Sequence, residues 1–348
     1  MKETGLEVLE SPRGEADPIA HIQSLVGQRF RILAPYRVGR EKVREYARAV
    51  QNFHPTHWDE DTASAYGYSA LLAPPTFMSL LAGRVQATMS ELLLGLNLTT
   101  TVQTDQVMNY HRPVLVGDEI TSNVSLHSFR QAFGGDMLVI ENSVTNQRDE
   151  LVVTAHTSVI SRSESDGDSE PIIAKVTAIG RQDFSAPPEI TPWPTALRIP
   201  DAPTPGPKVR AFESIAPGDE LPAGTIRLTL GDLVNYAGVS GDPNPIHYHS
   251  GAAQLVGLDR GVVAHGMLTM AIGAGYITAW LDDPGALVQY AVRMTSPVYV
   301  GGGNRSSVEF RGKVRSVDAD ARTATIALTA TNEGKKIFGR ATAVVRLG

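Results

Sequence analysis

Apolar and polar positions alternate with a period of two over Val288–Ser296, Arg305–Val317, Thr323–Thr331 and Lys336–Leu347, with turn signals such as GGGN and NEG between them. That is the pattern of half-buried antiparallel strands. The same alternation occurs earlier, over Thr99–His111, Glu119–Phe129, Asp136–Asn146 and Leu151–Ile160. Each set follows a continuous apolar run, Thr76–Leu96 in the first case and Gly266–Leu281 in the second. Both runs are too long for strands and predict helices. Upstream of each comes a short helix, an extended proline-containing loop and a second short helix. One long helix against a run of antiparallel strands predicts an α+β layer in each half.

The two halves are one unit written twice. Tyr46–Trp58 (YARAVQNFHPTHW) aligns without a gap with Tyr236–Tyr248 (YAGVSGDPNPIHY) and keeps its Tyr, Ala, Pro and His. In the same order, Leu72–Pro75 (LAPP) faces Val263–Gly266 (VAHG), and Pro113–Gly117 (PVLVG) faces Pro297–Gly301 (PVYVG). Residues 161–170 and 186–207 are rich in Ser, Asp and Pro, a composition that extends as a linker. The expected division is therefore an N-terminal unit over 20–160, a linker over 161–208 and a C-terminal unit over 209–348. Within the linker, the apolar IIAKVTAI of Pro171–Phe184 is a candidate added strand, and its state is left open. The second long helix contains Gly266, Gly273 and Gly275, although an interior glycine costs about 1 kcal/mol against alanine. Close approach to a surrounding sheet offsets that cost. A helix wrapped by a curled antiparallel sheet is a hot-dog unit, so the expectation is a double hot dog whose sheets join edge to edge.

Composition removes function classes more than it adds them. Hydrophobic residues at 42% and charged residues at 20% are ordinary for a globular chain. Thirty-seven acidic against 31 basic residues leave a charge of −6, with Lys and Arg dispersed, so a nucleic-acid partner has no electrostatic footprint. The absence of cysteine excludes disulfides, thiol nucleophiles and thiolate-ligated metals and agrees with a cytoplasmic location. No apolar run follows Lys2, so no signal peptide is expected. Gly266–Leu281 falls short of the roughly 20 residues that cross a bilayer, so no membrane span is expected.

The chemistry concentrates in Tyr236–His247 (YAGVSGDPNPIH) and in His265–Gly266 at the start of the long helix. Pro243 and Pro245 lock two φ angles and push Asp242 and Asn244 into extended conformations, so the loop is stiff before any substrate arrives. Eliminating water beside a carbonyl group, one reaction such a loop could serve, needs a base for a weakly acidic carbon-bound proton, an acid for the leaving hydroxyl and a donor for the developing oxyanion. His247 suits the base, because imidazole is largely neutral near pH 7, and Asp242 suits the hydroxyl or water. Gly266 opens a helix, where amides are unpaired and the dipole end is positive, so its N–H suits the oxyanion. A lone Asp or His is usually a cap or a satisfied core group; five positions at fixed spacing plus the downstream His-Gly favour a working loop. His265 itself is expected to cap or pack at the helix start, and Tyr236 and Tyr276 to be core aromatics.

The run G-D-x-N-P-x-H resembles the hydratase motif of the MaoC-like family of (R)-specific enoyl-thioester hydratases and dehydratases. The resemblance widens to most of the chain. Residues 209–348, with AHGMLTM and SVDADARTATIALTATNEGKKIFGRA, resemble the catalytic B subunit of mycobacterial (3R)-hydroxyacyl-ACP dehydratases. Residues 20–160, with REKVREYARAVQN, GYSALLAPPTF and NSVTNQRDELV, resemble the A subunit. The chain is thus similar to a natural fusion of the two. The resemblance implies a hydro-lyase forming trans-2-enoyl thioesters in fatty-acid or mycolic-acid elongation. It implies catalytic Asp242 and His247, Gly266 at the oxyanion, Asn244 as a further substrate-binding candidate, no cofactor, and an acyl-ACP or acyl-CoA substrate. Two other functions fit the same residues: an (R)-specific enoyl-CoA hydratase in fatty-acid or sterol degradation, and a non-catalytic thioester-binding scaffold. Further homodimerisation is left open.

The halves differ where the chemistry lies. Pro55 and His57 are kept, but Asn52 stands at the position of Asp242, Gln51 at that of Gly241 and Pro75 at that of Gly266. An amide cannot exchange a proton as a carboxyl group does, and proline has no N–H to offer. The N-terminal unit is therefore expected to be non-catalytic and to line an acyl channel; Met78 and Met89 are candidate adaptable lining residues, although most of the apolar side chains of that helix are expected to be core. No metal site is expected at His54, His57 and Asp59 or at His247 and His249, since the first set is the counterpart of the loop and the second has no converging geometry.

Overall fold

The computed structural model describes residues 17–93, 101–132, 135–162, 169–180, 188–203, 206–301 and 306–348. Its helices are α1 (Pro18–Leu25), α2 (Arg40–Ala49), α3 (Glu60–Ala65), α4 (Ala82–Leu92), α5 (Ser169–Ile179), α6 (Leu230–Ser240), α7 (Ser250–Leu255) and α8 (Gly266–Leu281). The strands of the first half are β1 (Arg29–Ile32), β2 (Tyr36–Arg37), β3 (Val102–Tyr110), β4 (Glu119–Ala132), β5 (Gly135–Thr145) and β6 (Leu151–Arg162). They are followed by β7 (Ile190–Pro192), β8 (Gly224–Leu228), β9 (Val262–Val263), β10 (Leu287–Met294), β11 (Tyr299–Val300), β12 (Ser306–Asp318), β13 (Thr323–Asn332), β14 (Lys335–Lys336) and β15 (Phe338–Arg346). The long alternating segments thus form the strands that their period predicts.

One continuous sheet runs through both halves. Its order outward from the middle is β3-β6-β5-β4-β1-β7 on one side and β10-β15-β13-β12-β8 on the other. The strands of the second half therefore repeat the order of the first. The halves meet where β3 and β10 pair antiparallel, from Asn109 opposite Gln289 to Asp105 opposite Arg293. Two side-chain bonds reinforce the seam, Gln289 Nε2 to Asn109 Oδ1 at 2.8 Å and Arg293 Nε to Asp105 Oδ1 at 2.8 Å. This is the expected edge-to-edge double hot dog, and pairing β3 with β10 leaves neither edge free to recruit another chain.

Helix α8 packs on the sheet of its own half, burying Leu268, Met270, Ala271, Ile272, Ala274, Ile277 and Leu281. Gly273 shows why small residues are needed there. A Cβ at that position would stand 2.5 Å from Tyr290 Oη, 3.2 Å from Leu328 Cδ2 and 3.4 Å from Phe310 Cε1. Gly273→Ala is accordingly expected to destabilise the chain by about 1–3 kcal/mol, the usual effect of overpacking, despite alanine's better helix propensity. An unchanged thermal midpoint for this variant would contradict the close packing.

Two segments depart from the sequence-based expectation. The first apolar run is not one long helix: a 3-10 helix over Phe77–Leu81 precedes α4, and residues 94–100 lie outside the described residues. The tight turn has a visible cause. The carbonyl of Thr76 accepts from Ser79 N at 2.9 Å and from the Tyr46 hydroxyl at 2.8 Å. In the linker, the apolar run forms α5 rather than a strand. Pro171 lies in its first turn, where a missing N–H breaks no bond. Further along, β7 adds itself to β1 through Phe30 opposite Pro192 and Ile32 opposite Ile190. Among the described residues, no helix is long and apolar enough to cross a membrane.

Candidate active site

The repeat becomes geometric at the loops that follow α2 and α6. Each helix leads into a 3-10 turn, Pro55–His57 in one half and Pro245–His247 in the other. A short helix follows each turn, α3 and α7. Helix α6 starts in a capping box between Thr229 and Asp232 and ends at Gly241 in the left-handed region, φ +79°. Glycine takes that conformation at no steric cost. The loop beyond is tied to itself: Asp242 Oδ1 accepts from Asn244 N at 3.0 Å and Asn244 Oδ1 accepts from Ile246 N at 3.2 Å. Asn244 therefore acts as the N-cap of the 3-10 turn. The linker helix reaches the same loop, since a Cβ on Gly180 just past α5 would lie 3.1 Å from Pro243 O.

The turn presents His247. Its Nδ1 lies 2.8 Å from Val263 O. A carbonyl only accepts, so this bond places the proton on Nδ1 and leaves Nε2 as a lone pair. That Nε2 stands 3.9 Å from Asp242 Oδ2, with side-chain exposures of 11% for His247 and 42% for Asp242. Burial holds the His247 pKa below the ordinary imidazole value, opposed by the charge of Asp242 and the Val263 carbonyl. The imidazole is thus a neutral base over the physiological range, with a carboxylate close enough to stabilise it once protonated.

His265 joins this pair. It occupies the N-cap position of α8 and makes no side-chain cap bond; of the two roles expected from its place in the sequence, capping or packing at the helix start, it takes the second. Its ring stacks on His247 with centroids 3.7 Å apart and 24° between planes. Its Nε2 is 4.0 Å from Asp242 Oδ2. Buried to 2% exposure, it has no hydrogen-bond partner on either ring nitrogen, and burial followed by the His247 charge pushes its pKa down to about 2. A buried N–H without a partner is costly, so what holds the ring in place is its packing between His247 and Tyr236. Only its place directly before Gly266 signalled this in the sequence.

Gly266 is the first residue of α8, and its amide has no intrahelical acceptor. A Cβ there would meet Met294 Sδ at 2.5 Å. The loop and the helix start thus bring together a bare imidazole nitrogen, a carboxylate and an unpaired helix-terminal amide. The ligand atoms of Asp242, His247 and His265 also lie within 4.8 Å of one another, a spacing that admits a cation as well as a proton relay. His249 lies apart from this group, its Nδ1 accepting from Ala252 N at 3.1 Å to cap α7. Tyr236 is a core aromatic, as expected, packed edge-on to His265 at 4.8 Å. Tyr276, only partly buried, stacks on Phe310 at 5.7 Å.

The N-terminal counterpart keeps the scaffold without the groups. His57 Nδ1 bonds Leu72 O at 2.7 Å, mirroring His247 and Val263. Yet His57 is 0% exposed and its Nε2 has no partner, and burial pushes its pKa down to about 3. Gln51 takes the left-handed conformation of Gly241, φ +52°, anchored by Nε2 donating to Arg227 O at 3.0 Å. Asn52 is buried against α8, its Cγ 3.5 Å from where a Cβ of Gly275 would sit. Asp59 caps α3 by accepting from Thr62 N at 2.7 Å. Beside Pro75 lies a small cleft lined by Leu72, Pro75, Phe77, Met78, Tyr110 and Leu287 among others. Met78 borders this cleft but is itself buried in the main core at 5% exposure, and Met89 is core, buried with Ile22, Leu93 and Val124.

Comparison with known proteins gives the two halves different family matches. Residues 24–155 match the family described as "FAS1-like, dehydratase domain region", and residues 214–333 match the "MaoC like domain" family. A UPF0336 protein of Streptomyces coelicolor is 39% identical over 144 residues, 40% of this chain and 94% of that protein. A Mycobacterium tuberculosis protein described as having a double hotdog fold superposes with a TM-score of 0.59 at 14% identity, covering 93% of this chain and 98% of that one, a likeness of fold alone. A solved MaoC-like dehydratase is 42% identical with a TM-score of 0.86, and the match covers 94% of this chain and 100% of that one. With a relative of that identity aligned over its whole length, the chain belongs to the MaoC-like dehydratases, hydro-lyases built here on a double hot dog.

Proposed function

We propose that the chain interconverts (3R)-3-hydroxyacyl and trans-2-enoyl thioesters through one site per chain, formed by Asp242, His247 and the amide of Gly266 in a C-terminal unit over 209–348. The observation that carries this reading is the bare Nε2 of His247, 3.9 Å from Asp242 Oδ2, on a ring stacked against His265, the residue directly before Gly266. In dehydration, Nε2 takes the proton from the α-carbon, and enolate charge gathers on the thioester oxygen against the Gly266 N–H at the positive end of the helix. Asp242 holds the β-hydroxyl and balances the imidazolium. The β C–O bond then breaks, the electron pair forms the double bond, and the proton held by the pair leaves with the hydroxyl as water. No electrons are exchanged with an outside partner, so the reaction itself requires no cofactor. Asn244 supports the site by capping the turn that carries His247. The N-terminal unit over 20–160 supplies structure and acyl-chain surface.

On this reading the carrier is an acyl-carrier protein and the pathway one of chain elongation in the cytoplasm; the CoA-linked hydratase uses the same residues in reverse. Following the enoyl absorbance with crotonyl and longer enoyl thioesters, on CoA and on acyl-carrier protein, separates the two. Faster turnover on the carrier protein is expected, a preference for CoA would support the degradative reading, and no turnover at any chain length would sink the enzymatic assignment.

A further inference from the structure

A second cluster of titratable side chains lies on the sheet of the N-terminal half, spread over three consecutive strands. Glu141 on β5 and His156 on β6 are direct cross-strand partners, so their side chains share one face. The third member, His127, stands two residues beyond Ser125, the β4 partner of Glu141, so it shares that face, and an irregularity at its position adjusts its aim. In the β4–β5 ladder, Ser125 pairs with Glu141 and Leu126 with Ile140, but the next pair is Ser128 with Val139. His127 is thus the extra residue of a bulge, a device that re-aims side chains.

The three groups converge on one oxygen. His156 Nε2 lies 3.3 Å and His127 Nδ1 3.7 Å from Glu141 Oε2, and all three ligand atoms fall within 4.8 Å of one another. Tetrahedral zinc with bonds of about 2.0–2.1 Å sets its ligand atoms roughly 3.3–3.4 Å apart. One pair already has that spacing, and small side-chain rotations bring in the third atom. The other carboxylate oxygen is held from behind: Glu141 Oε1 accepts from Ser143 Oγ at 2.8 Å and from Arg29 Nη2 at 3.4 Å. Such outer contacts fix the direction of a ligating carboxylate. Side-chain exposure rises from 14% at Glu141 through 25% at His156 to 55% at His127, leaving an open side for water as a fourth ligand.

We propose that His127, Glu141 and His156 form a surface zinc site that ties β4, β5 and β6 together and shares no residue with the Asp242–His247 pair. Two imidazoles and a carboxylate suit zinc among the divalent ions, and the chain has no cysteine to offer a softer alternative. The nearby Arg29 cation opposes a second positive charge, so binding is expected to be weaker than in a closed four-ligand site.

The test is calorimetric titration of zinc chloride into the untagged, chelator-treated full chain, alongside Glu141→Gln, His127→Ala and the His127→Ala/His156→Ala pair. The expected result is saturable binding that each change weakens at least about tenfold, a zinc-dependent rise in thermal midpoint in the parent chain only, and unchanged zinc-free enoyl-thioester turnover in every variant. Because Asp242, His247 and His265 are also close enough to hold a cation, parent and variants are compared in one titration. Identical isotherms in all chains would assign zinc to that other group and overturn the proposal. So would the absence of saturable binding in the parent. Glu141→Gln preserves shape and His127→Ala alters an exposed residue, so the outcome does not depend on the double variant folding.

Discussion

Asp242→Asn is expected to reduce turnover by roughly 10²–10⁴-fold, the range associated with a positioned acid or base, while leaving the thermal midpoint almost unchanged. The fold should survive because the contact that shapes the loop is retained: an asparagine oxygen can still accept from Asn244 N, as Asp242 Oδ1 does at 3.0 Å. What disappears is the charge facing His247 Nε2 and His265 Nε2. His247→Ala should be equally damaging. Since both groups act on one substrate, the double variant should be little slower than either single one; strictly multiplicative losses would assign them to separate steps. The pH profile gives an independent readout. Burial already lowers the His247 pKa, and the Asp242 charge raises it. The acid limb of kcat/KM should therefore fall below the ordinary imidazole value in the parent, and in Asp242→Asn the residual activity should hold to still lower pH. A limb that moves upward on removing the carboxylate would contradict the pairing.

The features legible in the sequence were those with a local period or a fixed spacing. Alternation of period two placed the long strands of the second half because their burial alternates, as in β13 from Ala324 to Ala330, whereas β4 buries Ser122–Leu126 in one run. The glycines of α8 announced a crowded helix, and Gly273 against Tyr290, Leu328 and Phe310 is that crowding. The GDPNPIH run marked the candidate catalytic loop because two prolines and a left-handed glycine constrain the backbone locally. Contacts made by folding left weaker traces. The apolar run of the linker carried no period that distinguished a strand from α5. The 3-10 helix before α4 depends on the Tyr46 hydroxyl, a residue far away in sequence. His265 was expected to cap or pack at the helix start, but what it packs on was not legible, because its stacking on His247 depends on the separate strand carrying Val263. His127, Glu141 and His156 have no common spacing at all; register and a bulge bring them together.

The asymmetry between the halves makes the second large prediction. His57 and His247 occupy equivalent positions and make the same bond, from Nδ1 to the carbonyls of Leu72 and Val263. Substituting alanine at each should nevertheless have opposite consequences. His247→Ala removes the base and should abolish turnover in a folded chain. His57→Ala removes a fully buried ring whose Nε2 meets neither solvent nor partner, next to an asparagine in place of the carboxylate and a proline in place of the amide donor. Its effect should fall on stability: the carbonyl of Leu72 loses its partner and a cavity opens, each of which costs about 1–3 kcal/mol or more. Leu72 also lines the neighbouring apolar cleft, so the preferred acyl-chain length should shift while the chemical step is kept. Turnover number, thermal midpoint and chain-length profile, measured for both variants below their melting temperatures, separate these effects. If folded His57→Ala loses turnover as completely as His247→Ala, a single working site per chain is wrong, and the N-terminal loop must take part in the chemistry despite Asn52 and Pro75.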